Sequence, residues 1–184
     1  MLSGKNSKTN MFTPAKGFTF KTPAPSGPSG LRIEHRIGIQ APAEVIWDIL
    51  YDVEHWAEWN PLYVQAAGQI RIGSQLDLTM VIGDEPPMVI HPVVLEWVPN
   101  DQIHWRLKMM GGLISTTRFL EIEELDTAAC IFSNGEIFGG LMGPSVGKRM
   151  GRKIYRAFLA MDEALKERAE AVWRAQGGKP TSDS

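Results

Sequence analysis

The chain has 184 residues, 43% of them hydrophobic and 22% charged, enough for one domain with a sizeable core and too few for two. A formal charge of -2 gives no global reason to expect nucleic acid as a partner, and no apolar stretch approaches the roughly 18 residues that a membrane span requires. The single cysteine, Cys130, excludes an internal disulfide and is compatible with a reducing compartment.

Residues 1–30 hold Lys5, Lys8, Lys16 and Lys21, no acidic residue, and the cluster Pro23-Ala-Pro-Ser-Gly-Pro-Ser-Gly30, the composition of a flexible basic arm. These four lysines leave residues 31–184 with a net charge of -6. Met11 is an alternative start. No apolar run follows the first residues, as a secretory signal would require, so a cytoplasmic location is expected.

Leu31-Arg-Ile33-Glu-His35-Arg-Ile37-Gly-Ile39 alternates as a strand, placing His35 inward with Ile33 and Ile37. Pro42 then opens a short amphipathic helix with Glu44 in its first turn and Val45, Ile46, Ile49 and Leu50 on its apolar side. A second short helical element carries Trp56 and Trp59. Asn60-Pro61 returns the chain to extended backbone, because the residue before proline is driven out of the α region.

Six further strands are predicted at about 62–69, 75–82, 88–98, 102–109, 114–125 and 128–138. The turn signals Arg71-Ile72-Gly73-Ser74, Gly83-Asp84-Glu85-Pro86-Pro87, Pro99-Asn100-Asp101 and Gly111-Gly112 favour a seven-stranded antiparallel meander. Gly143-Pro144 starts a long helix to about Arg174, stopped by Gly177-Gly178-Lys179-Pro180, with residues 175–184 as a disordered tail. Val146, Met150, Ile154, Phe158, Met161, Leu165, Ala169 and Val172 form one apolar stripe along it. With a single sheet available to cover that stripe, the expected fold is α+β: a helix-grip, with the curved sheet wrapped around the C-terminal helix and a cavity between them.

Several chemistries are missing. The glycines at Gly139-Gly140-Leu-Met-Gly143-Pro144 do not make a phosphate loop, since Arg149 stands where a magnesium-binding Ser or Thr would be, and they read as a tight strand-to-helix turn. His35, His55, His91 and His104 are dispersed with no metal-ligand spacing, and neither a nucleophile elbow nor a flanked reactive thiol is present. No metal and no cofactor is expected. Lys148, Arg149, Arg152, Lys153 and Arg156 form a cationic run in the first turns of the long helix, where the helix dipole disfavours positive charge. That placement suits a solvated face or an anionic partner near the cavity mouth.

Small-molecule sites combine an apolar lining with a few polar groups. Strand parity nominates His35, Met80, Trp105, Phe132 and Asn134 for that lining, together with Thr117 and Phe119 on one side of their strand and Arg118 on the other. Trp59 from the helical insertion and Met150, Ile154 and Phe158 from the long helix complete the ligand-binding set. His35 and Glu136 are the catalytic candidates, because histidine titrates near neutrality and a carboxyl in an apolar pocket can act as acid or base.

The segment from about Leu31 to Ala171 resembles the SRPBCC superfamily, the START, polyketide cyclase and Bet v 1-like group. The resemblance rests on Ala41-Pro42-Ala43-Glu44-Val45-Ile46-Trp47, Trp59-Asn60-Pro61, Ile72-Gly73, Val94-Leu95-Glu96, Arg118-Phe119 and Gly135-Glu136-Ile137-Phe138-Gly139-Gly140-Leu141. It implies the helix-grip fold over residues 31–174 and a cavity for a small hydrophobic or aromatic molecule, but no particular reaction. Three functions are compatible with it: a carrier or sensor of such a molecule, a polyketide cyclase, aromatase or dehydratase using the same cavity, and a cochaperone-like module. A protein partner would engage the basic arm or the Lys148, Arg149 and Arg152 face; neither nucleic acid nor integral membrane association is expected.

Overall fold

Pro92 divides the strand expected over 88–98. It has no N–H to give a ladder and restricts His91 to extended backbone, so the chain leaves one sheet at Ile90 and enters another at Val93. The computed structural model describes residues 30–178, and its strands fall into a five-stranded and a three-stranded antiparallel sheet in place of the single seven-stranded sheet expected. In chain order they are β1 (Leu31–Ile39), β2 (Tyr63–Ala67), β3 (Asp77–Met80), β4 (Met88–Ile90), β5 (Val93–Val98), β6 (Gln102–Met109), β7 (Ile114–Asp126) and β8 (Ala129–Gly139). The large sheet runs β1-β8-β7-β6-β5 and the small one β2-β3-β4. A seam joins them: Gly73 N–H donates to Val94 O at 2.8 Å, Val94 N–H to Ser74 O at 2.9 Å, and Leu76 N–H to Pro92 O at 2.9 Å.

Helix α1 (Ala43–Tyr51) starts one residue after Pro42, whose carbonyl accepts the first helical bonds from Val45 and Ile46. A six-residue 3-10 segment, Val53–Glu58, follows and buries Trp56 completely, its indole N–H donating to Leu50 O at 3.1 Å. Asn60 then turns the chain, its Oδ1 accepting from the N–H groups of Leu62 and Tyr63.

Helix α2 (Gly143–Ala175) spans 33 residues, about 50 Å at 1.5 Å per residue. Ile154, Phe158, Met161, Leu165 and Ala169 on its buried stripe are each at most 4% exposed and pack on the concave face of the sheets. Gly140 is needed at the strand-to-helix junction: its φ is +78°, and a Cβ there would lie 2.6 Å from Leu113 O. No helix among the described residues is long and apolar enough to cross a membrane. The basic arm expected over residues 1–30, Gly30 apart, and residues 179–184 of the expected tail lie outside the described residues.

Candidate functional site

The concave face is set by parity and by one glycine. Along β8, Phe132, Asn134, Glu136 and Phe138 point toward α2, as their shared parity predicts. Opposite them on β7 the inward residues are Thr116, Arg118, Leu120 and Ile122, because Thr116 pairs with Phe138, Arg118 with Glu136 and Leu120 with Asn134. Thr117 and Phe119 therefore lie on the convex face, which corrects their expected place in the cavity. Phe119 is buried there because Gly135 leaves room for it: a Cβ on Gly135 would sit 2.1 Å from the ring. Arg32 stacks over that ring at 4.2 Å from its centroid.

Between the small sheet, the middle of the large one and the first turns of α2 is a partly open cavity of about 130 Å³. Met80, Met88, Leu107, Met109, Met150 and Ile154 give it an apolar, largely methionine lining, with Trp105 as an aromatic wall. Tyr63, Thr116 and Glu136 are its polar residues. Of the sequence candidates, Met80, Trp105, Glu136, Met150 and Ile154 thus meet at one cavity.

Glu136 is the one carboxyl in that lining. Burial raises its pKa above the ordinary carboxylate value, against the lowering effects of Arg118 and of the Thr116 hydroxyl that donates to it. Arg118 faces it across the strand pair, Nη1 to Oε2 at 4.0 Å, and is only 2% exposed. Its guanidinium lies 3.7 Å over the Phe158 ring, and its Nε finds no hydrogen-bond partner among the described residues. Burial likewise pushes the Tyr63 phenol up to about 12, so it remains a neutral donor.

The other candidates fall elsewhere. His35 does face inward, but β1 is the edge of the large sheet, and the ring meets the flank of α2: Nδ1 lies 2.6 Å from Asp162 Oδ2. Asn134 joins this group by donating from Nδ2 to Asp162 Oδ1 at 2.6 Å, while its own Oδ1 has no partner among the described residues. Burial pushes Asp162 up to about 6, although His35, Asn134 and Arg118 all favour its charged form. Phe132 and Phe158 are filled core beside this group. Trp59 lines a separate outer groove with Ile49, His55 and Arg168, not the cavity.

Sequence reasoning missed Asp162, Tyr63 and the inward side of Arg118. Asp162 had a signal, since it interrupts the buried stripe four residues after Phe158 and three before Leu165. Cys130 is buried at a backbone carbonyl, with burial holding its thiol at about 11, which fits an inert side chain.

Two antiparallel sheets gripping a long C-terminal helix over a small, mostly apolar cavity define a fold of the helix-grip class. A family model described as polyketide cyclase / dehydrase and lipid transport matches residues 31–170, and the chain belongs to that family. No curated protein matches it. Among solved structures it is similar to Zhui aromatase/cyclase from Streptomyces sp. R1128, at 18% identity and a TM-score of 0.67 over 82% of this chain and 100% of that one. It is also similar to a START superfamily protein from Mycobacterium smegmatis, at 23% identity and a TM-score of 0.60 over 77% and 98% of the two chains. Norcoclaurine synthase from Thalictrum flavum, in complex with dopamine and hydroxybenzaldehyde, superposes with a TM-score of 0.60 at 16% identity over 79% and 88%. At these identities the likeness carries the fold and not the chemistry.

Proposed function

We propose that the protein binds a small hydrophobic or aromatic molecule reversibly in the cavity beneath α2, with one oxygen of the guest directed at Glu136. The observation that carries this reading is the partly open apolar volume of about 130 Å³ with one carboxyl, Glu136, on its wall. An apolar protein cavity of about 150 Å³ admits benzene. A single-ring guest therefore matches the volume, and a longer one would extend into the adjoining groove that shares Met80, Ile82, Met88 and Met150 with it. Apolar burial supplies most of the affinity and Glu136, Thr116 and Tyr63 select orientation.

A second reading, cyclisation or dehydration of a carbonyl compound in the same cavity, is supported by the Glu136–Arg118 pair. A carboxyl whose proton is held by burial can deliver it to a departing oxygen, and its carboxylate can take a proton from carbon beside a carbonyl. The Tyr63 and Thr116 hydroxyls, which line the cavity, would then donate to the enolate oxygen. The aromatase/cyclase neighbour adds to this reading without identifying a substrate.

Titration calorimetry with a panel of single-ring phenols and aryl ketones tests the first reading. Micromolar binding that Ile154→Trp abolishes supports it; no binding by any member of the panel overturns it. Incubation with polyketide-like 1,3-dicarbonyl compounds tests the second, which requires turnover that Glu136→Gln removes while affinity remains.

A further inference from the structure

Two turns come together at the end of the molecule where α2 begins. The β6–β7 turn, Met110–Gly112, lies against the β8–α2 junction, and Met142 N–H donates to Leu113 O at 2.9 Å. Each turn projects apolar side chains into solvent: Leu141 is 84% exposed, Met110 62%, and Leu113 and Met142 about half as much. These are protruding side chains on tight turns, not the walls of a groove.

Around this tip cations outnumber acids. Between Gln102 and Leu120, and again between Ile137 and Met161, the sequence has no acidic residue, whereas Lys108, Lys148, Arg149, Arg152 and Arg156 are all exposed. Lys153, the cation nearest an acidic turn, is already held by Asp84 and Glu85. The tip is thus cationic on a chain whose residues 31–184 carry a net -6. A field of that polarity orients the molecule, tip first, toward an anionic surface.

We propose that this tip is a peripheral docking surface for a bilayer containing anionic lipid, with Leu141, Met110, Leu113 and Met142 entering the interface and Lys148, Arg149 and Arg152 meeting the headgroups. Apolar side chains projecting singly from turns gain by immersion in the acyl boundary, and each flanking cation adds electrostatic attraction that salt screens. The lining residues Met109 and Val146 adjoin Met110 and Met142, so the docked end is also an end of the cavity. Docking itself does not depend on what the cavity holds.

Co-sedimentation of the full chain with vesicles tests the assignment, comparing phosphatidylcholine alone with phosphatidylcholine containing about a quarter phosphatidylglycerol, at low and high salt. The expected result is retention on the mixed vesicles at low salt only. Arg149→Glu combined with Arg152→Glu should weaken it roughly tenfold or more, and Leu141→Ser severalfold. Unchanged circular dichroism establishes that the exposed substitutions leave the fold intact. Failure of the wild-type chain to sediment with anionic vesicles overturns the proposal. So does retention that neither variant changes, or retention lost only when Lys5, Lys8, Lys16 and Lys21 are all replaced by Ala. Binding to polyglutamate as tight as to vesicles, with Leu141→Ser altering neither, would identify a polyanion site and also overturn it.

Discussion

Arg118 and Glu136 stand directly opposite each other on β7 and β8, their charged atoms 4.0 Å apart, with the guanidinium stacked on Phe158. The two partners differ in what they can do when left alone. A buried carboxyl can take up a proton and become neutral, whereas a guanidinium cannot lose one. Glu136→Leu should therefore cost about 3 kcal/mol by leaving a buried cation uncompensated, while Arg118→Met should cost much less. Urea denaturation of both variants at neutral pH checks this; equal losses would refute the asymmetry.

Stability should also depend on pH through Asp162. Its folded pKa, about 6, lies above the ordinary 3.8, so the folded state holds this proton more tightly than the unfolded chain does. The resulting stabilisation is fully present below about pH 4 and is lost as pH rises through about 6. Asp162→Asn should flatten the stability profile across that window, as measured by thermal melts at half-unit steps. Glu136, raised for the same reason, adds a slope of the same sign that Asp162→Asn leaves in place.

Filling the cavity should separate binding from folding. Met150 is partly exposed at the cavity wall, so Met150→Trp should block a guest while costing about 1 kcal/mol or less, the low end for added bulk in a packed site. Ile154→Trp, at a buried position in the same wall, should cost about 1–3 kcal/mol. Calorimetric binding and melting temperature, measured on the same samples, distinguish the two effects.

Phe119 gives the opposite result. Because it packs on the convex face over Gly135 and under Arg32, Phe119→Ala should destabilise by about 3 kcal/mol and leave ligand affinity unchanged. Gly135→Ala should destabilise as well, by about 1–3 kcal/mol, since the new methyl overlaps the ring. A fall in affinity for the folded Phe119→Ala protein would show that the outer face communicates with the cavity.

Much of the fold was legible because it rests on local patterns. The alternation in β1 pointed His35 inward, the apolar stripe of α2 demanded a concave sheet, and the glycine-rich junction marked the helix start. What failed depends on neighbours in space. Parity separated Arg118 from Phe119 but could not say which side was inner, and hydrophobicity favoured the wrong one; the space over Gly135 decides it, through a cross-strand register visible only once β7 and β8 are paired. Inwardness also did not put His35 in the cavity, because strand order makes β1 an edge. Pro92 is itself a readable signal: a proline inside a strand pattern is a boundary, and here it divides the sheet.

That division has a mechanical consequence. The wall carrying Tyr63, Met80 and Met88 belongs to the three-stranded leaf, which is fastened to its larger neighbour through the backbone bonds of residues 73–76 with 92–94. The β3–β4 turn of that leaf is also tied to α2, where Lys153 Nζ lies 2.9 Å from Asp84 Oδ1 and pairs with Glu85, so the wall is held at two edges. A guest of the proposed kind too large for the cavity would have to part this wall from α2 at the Lys153 pairs, leaving the ladders of the large sheet whole.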